Sequence, residues 1–118
     1  MAPERRLYHL HARICHVLAN PKRLEIIDRL RTDEKSVGEL ADMMQIGQAN
    51  LSQHLAVMRQ QGIVTPRREG ASVYYGLSNP KIVKACDLMR QVLLEHLKAG
   101  ANLAEAAIQE SRAAARRT

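Results

Sequence analysis

Two sets of side chains in this 118-residue sequence are of types that could do chemistry. The first is the run Gln48-Ala49-Asn50-Leu51-Ser52-Gln53-His54, followed downstream by Arg67 and Arg68. Short and amide side chains suit the edges of bases. Glutamine can pair bidentately with adenine, serine can meet several edges, and alanine can touch a thymine methyl. Arginine suits backbone phosphate or a narrow minor groove. The second set is Cys15 and Cys86, the only two cysteines. Two thiols brought together could form a disulfide or a polysulfide bridge, or bind a soft ion such as arsenite with a further ligand. Each set also has a plainer explanation. Polar residues on a helix can be merely solvated, arginines can protect an edge strand, and a reduced cysteine is often a small core residue.

Groove reading needs a helix that carries those residues at its amino end, and the flanking pattern supplies one. Ser36 with Glu39 three residues on is a capping box, and Val37, Leu40, Ala41 and Met44 give the helix after it a buried face. Gln45-Ile46-Gly47 reads as a tight turn, with Gly47 able to take a positive φ. A further helix from about Gln48 to Gln61 turns Leu51, Leu55 and Met58 inward. Gln48, Ala49, Ser52 and Gln53 then lie on the opposite side, and Gly62 stops the helix. Asn50 and His54 complete the candidate set. His54 lies between the two faces, where it could touch phosphate or hydrogen-bond inside the domain.

Ile63 to Arg68 and Ser72 to Leu77 alternate as strands, joined through Glu69-Gly70-Ala71. Pro66 marks the first as an edge strand. Upstream, Leu7, Leu10, Ile14, Val17 and Leu18 recur at helical spacing, and Asn20-Pro21 opens a short second helix. Thr32 to Lys35 reads as loop. Ser78-Asn79-Pro80 starts a long last helix striped by Ile82, Ala85, Cys86, Met89, Leu93 and Leu97. Gly100 and Asn102 are expected to break it, leaving Leu103 to Ala115 as another helix or a frayed tail. The fold class is therefore mainly α with a small β-hairpin, a winged helix-turn-helix. Residues 1–100 would form the DNA-binding and dimerisation domain, and 101–118 an Ala-rich basic tail.

Composition agrees. Eighteen Lys and Arg against twelve Asp and Glu give +6, which favours a polyanionic partner. Phe and Trp are absent, so aliphatic side chains must fill the core. No apolar run is long enough to span a membrane and the N-terminus lacks a signal-peptide core, so the expected location is cytoplasmic with reduced thiols. An enzyme is not expected, since G-x-S-x-G, H-E-x-x-H and Gly-rich phosphate loops are missing. A metal site from His9, His11, His16, His96, Asp87, Cys15 and Cys86 is disfavoured, because His9 and His11 are two apart and fit one helix face poorly. A winged-helix protein-interaction module is the rival class. It would want aromatic or Met anchors where this helix has Gln, Ser and Ala.

The segments NPKRLEII, SVGELADMM, QANLSQHLAVMRQQGIV and RREGASVYYGLSNP resemble, in that order, the ArsR/SmtB family of bacterial transcriptional repressors. The resemblance covers roughly Ala12 to Leu97. It implies a homodimer through the first and last helices, binding palindromic double-stranded DNA until an inducer loosens its grip. By position it puts Gln48, Ala49, Ser52 and Gln53 in the groove and Arg67 and Arg68 on the wing. Two of the family's sensor sites have no counterpart. Val37-Gly38-Glu39-Leu40 stands where a CVCDL-like pair would be, and the last helix lacks the Asp-x-His and His-x-x-Glu zinc pattern. No resident cofactor or metal is expected. Cys15 and Cys86 remain as a candidate thiol switch for reactive sulfur, oxidant or arsenite, with a repressor that senses nothing through thiols as the alternative.

Overall fold

A computed structural model describes residues 3–117. The elements run α1 (Pro3–Leu18), α2 (Pro21–Arg29), β1 (Lys35–Ser36), α3 (Val37–Met44), α4 (Gln48–Gln60), β2 (Val64–Glu69), β3 (Ser72–Leu77) and α5 (Lys81–Arg117). Local capping explains most of the helix starts. The Asn20 side chain accepts from the backbone N–H of Lys22 at 2.9 Å and of Arg23 at 3.2 Å, with Pro21 in the first turn of α2. At α3 the expected capping box is complete. Glu39 N–H donates to Ser36 Oγ at 3.1 Å, and Ser36 N–H donates back to Glu39 Oε1 at 3.2 Å.

The turn between α3 and α4 differs from the sequence expectation. Its left-handed residue is Gln45, with φ 56°, while Gly47 is extended at φ −68° and serves as the N-cap of α4. Gln45 tolerates the position because its side-chain amide donates to Asp42 O at 2.7 Å and its backbone N–H reaches the carbonyls of Ala41 and Asp42. These bonds satisfy the end of α3 as a C-terminal glycine would.

The hairpin becomes a three-stranded antiparallel sheet in the order β1-β3-β2. Lys35 and Ser36, expected as loop and cap, pair with Tyr75 and Tyr74. Two residues show no alternation, so β1 exists only because β3 offers an edge. The strand with Pro66 is indeed at an edge, and Pro66 lies opposite Tyr75. Glu69 pairs with Ser72, leaving Gly70 and Ala71 as a two-residue turn with Gly70 at φ 62°.

The core lies under α4. Ile26, Ile27, Leu40, Leu51, Leu55, Met58 and Ile63 are fully buried, with Leu30 and Val64 beside them. Each contributes on the order of 1.5–3 kcal/mol of burial, and together they hold α2, α3, α4 and the sheet to one another. Ser78 bears on the carbonyls of Gly62 and Ile63, tying the exit of β3 to the end of α4.

Residues up to Val83 form one compact unit, and from Lys84 onward the chain is the body of α5. This helix is 37 residues long and passes through Gly100 and Asn102 without a break, against expectation. One glycine costs a helix about 1 kcal/mol, and the surrounding Ala, Leu, Glu and Lys outweigh it. The segment after residue 100 is therefore helical to Arg117.

Candidate nucleic-acid interface

Amphipathic burial orients α4. Leu51, Leu55 and Met58 anchor one side at zero exposure, so the other side must face outward. Gln48, Ala49, Asn50, Ser52 and Gln53 are all exposed, and they share the first two turns. Gly47 supplies no side-chain cap, so among the described residues the start of α4 has no side-chain cap hydrogen bond. Such a helix start attracts anions through its unsatisfied donors and its dipole.

His54 behaves differently from its neighbours. It is half-buried, and its Nδ1 accepts from Arg23 Nε at 3.2 Å. Arg23 Nη1 also donates to Val17 O at 3.2 Å, so one guanidinium ties α4 to the end of α1. Burial, and then the charges of Arg23 and Lys22, push the His54 imidazole below the usual histidine range. A neutral ring is what the bond from Arg23 requires, because a protonated Nδ1 cannot accept. This bond ties the His54 side chain of α4 to Arg23 of α2.

The wing arginines also divide. Arg67 lies opposite Tyr74, and its guanidinium sits 5.0 Å from the ring centroid. Its Nε donates to Glu34 Oε2 at 3.0 Å and its Nη1 to Glu69 Oε2 at 2.9 Å. Its hydrogen bonds to the Glu69 and then the Glu34 carboxylate raise its already high pKa. Arg68, one residue on, is exposed and makes no hydrogen bond or ion pair among the described residues. Sequence reasoning named both arginines but missed Glu34, Glu69, Tyr74 and Arg23. The Arg67–Tyr74 contact follows from the strand register. The contacts to Glu34 and His54 join residues 33 and 31 positions apart and carry no local signal.

Elsewhere, Cys15 is exposed on α1 and Cys86 is half-buried on α5, and no disulfide joins them. Among the described residues, no group of three or more His, Cys, Asp or Glu side chains could hold a metal ion. No helix among them is long and apolar enough to cross a membrane.

A capped helix, a tight turn, a second helix with an exposed polar start and a three-stranded wing define a winged helix-turn-helix DNA-binding protein. The sequence pattern of the family described as "Bacterial regulatory protein, arsR family" matches residues 20–65. The transcriptional activator HlyU of Vibrio cholerae is 39% identical over 75 residues, which are 64% of this chain and 69% of HlyU. The crystal structure of Rv0081 from Mycobacterium tuberculosis superposes with a TM-score of 0.73 at 35% identity, covering 83% of this chain and 96% of that one. The homodimeric winged helix-turn-helix domain of Mb0332 from Mycobacterium bovis, solved by NMR, gives a TM-score of 0.75 at 30% identity over 82% of this chain and 90% of its own. The chain belongs to the ArsR family of DNA-binding transcriptional regulators.

Proposed function

We propose that this protein is a homodimeric repressor that reads a palindromic operator with Gln48, Ala49, Asn50, Ser52 and Gln53 in the major groove. The observation that carries this reading is the exposed, short-polar first half of α4 beginning at an uncapped helix start. Arg67 and Arg68 bring positive charge to the wing. His54 serves the fold through its bond with Arg23. Dimerisation is supported by apolar side chains left in solvent by the single chain: Leu7, Leu10 and Ile14 on α1, and Met89, Leu93 and Leu97 on α5. The homodimeric state of Mb0332 agrees with that assignment.

The test is binding of the purified protein to an inverted-repeat promoter fragment and to random duplex over a range of salt. Preference for the repeat is expected, with log affinity falling by about 0.9 per log salt for each phosphate neutralised. Equal affinity for both duplexes overturns the reading. HlyU bears the name of an activator, so transcription in vitro from the same fragment decides the sign. Repression is expected, because a dimer across a promoter obstructs polymerase.

A thiol trigger at Cys15 and Cys86 is supported by the exposure of Cys15, which lets a soluble oxidant or arsenite reach it. Intact mass and DNA release after polysulfide, peroxide or arsenite test it. Release that survives in both Cys15→Ser and Cys86→Ser assigns the thiols to packing.

A further inference from the structure

We infer that Arg67 is a positioning residue that braces the wing, and that the wing's contact with the phosphate backbone belongs to Arg68. The inference rests on the DNA-binding reading above and divides its labour. A guanidinium has five N–H donors in a rigid fork, and Arg67 commits donors on both of its edges. Nε meets the Glu34 carboxylate at 3.2 and 3.0 Å, and Nη1 meets Glu69 at 2.9 Å. Its Cζ lies over the Tyr74 ring, 5.0 Å from the centroid. Nη2 keeps its donors, but a phosphate drawn to them would sit beside the Glu34 and Glu69 carboxylates. Those carboxylates offset the positive charge that Arg67 could offer a phosphate and repel the anion themselves.

The same contacts give the wing a fixed attachment. Glu34 precedes β1, Glu69 ends β2 and Tyr74 lies in β3. Arg67 therefore joins the two strands of the hairpin to the segment that enters α3. Room for this is built in at Gly76. A Cβ there would come within 3.1 Å of the Glu34 Cγ, so the glycine leaves the Glu34 stem its path to Arg67. Arg68 is one residue further along, on the opposite face of the strand by alternation, and its guanidinium has no partner among the described residues. The wing thus carries one arginine spent on its own geometry and one free for a polyanion.

Lysine separates the two roles. A lysine keeps the charge that a phosphate needs but cannot fork between two carboxylates while stacking on a ring. The experiment measures operator affinity across salt for Arg67→Lys, Arg67→Ala, Arg68→Lys, Arg68→Ala and Glu34→Gln. It adds amide hydrogen exchange of the DNA-free proteins over residues 64–77. Arg68→Ala should flatten the salt dependence by about 0.9 per protomer, and Arg68→Lys should restore it. Arg67→Ala and Arg67→Lys should both weaken binding several-fold with the wild-type salt slope. Both variants, and Glu34→Gln, should exchange faster across the hairpin. The inference is overturned if Arg67→Lys binds like wild type while Arg67→Ala loses slope, or if Glu34→Gln tightens binding by releasing Arg67. It is also overturned if hairpin exchange is unchanged in the Arg67 variants. A wild-type protein with no salt-dependent DNA binding would instead refute the operator reading, and the exchange data would still judge the brace.

Discussion

Replacing Leu93 by alanine should weaken the dimer and leave the single chain's fold alone. Leu93 belongs to the apolar stripe of α5 and is 53% exposed in the isolated chain. Complete burial of a leucine side chain is worth about 1.5–3 kcal/mol, so the exposed half holds about 1–1.5 kcal/mol for a partner to recover. A two-fold symmetric pair counts it twice. Alanine keeps the first carbon of the side chain, which brings the expected loss to about 2 kcal/mol, or close to a 30-fold rise in the dimer dissociation constant. Helix propensity does not oppose the change, because alanine and leucine are both strong helix formers. Sedimentation equilibrium over a concentration series reads the constant directly. Denaturation at concentrations where both proteins are monomeric supplies the control. An unchanged dimer constant would show that the α5 stripe is not the contact surface. A less stable monomer would show that Leu93 packs within its own chain.

Ser52→Ala and Gln53→Ala should each weaken binding to the operator while random duplex and dimerisation are unaffected. Competition gel shifts decide it, and unaltered discrimination in both removes them from the groove. Leu55→Ala, on the same helix but at zero exposure, should cost about 2–5 kcal/mol of stability in urea unfolding. Ser52→Ala should stay within about 0.5 kcal/mol of wild type there. Stability should also depend on pH through His54. Because the folded state holds the His54 pKa below its unfolded value, the native chain binds fewer protons between the two values. Its contribution is therefore complete above the unfolded pKa, near 6.5, and is lost as the pH falls through the folded one. His54→Asn offers an oxygen acceptor to Arg23 without titrating. The urea midpoint of that variant should vary less than wild type between pH 7.5 and 5.5, and parallel curves would remove His54 as the cause.

Much of the fold was legible because its signals are local. Asn20-Pro21 and Ser36-x-x-Glu39 satisfy backbone donors within three residues, so the starts of α2 and α3 can be read directly from the order of side chains. The stripe of Leu51, Leu55 and Met58 likewise settled which side of α4 faces out. The errors arose where a neighbour decides. β1 forms only against β3, and Gln45 takes the left-handed position expected of Gly47 because its amide reaches Asp42. At Gly100 a single weak position is overruled by the helix formers around it. The groove candidates themselves were readable from residue type. The different environments of His54 and Arg68's neighbour Arg67 were not, because Arg23 and Glu34 approach them from distant parts of the chain.

A serine or aspartate in place of Gly47 would close the helix internally, a change usually favourable by a few tenths of a kcal/mol over glycine. Its oxygen would then occupy the amides that a phosphate would otherwise meet. The bare start keeps this end of the helix open to an outside acceptor, so on the operator reading the duplex itself caps the first turn. Thermal robustness and avidity for the promoter are then drawn from the same few N–H groups, and a variant selected for one would give up part of the other.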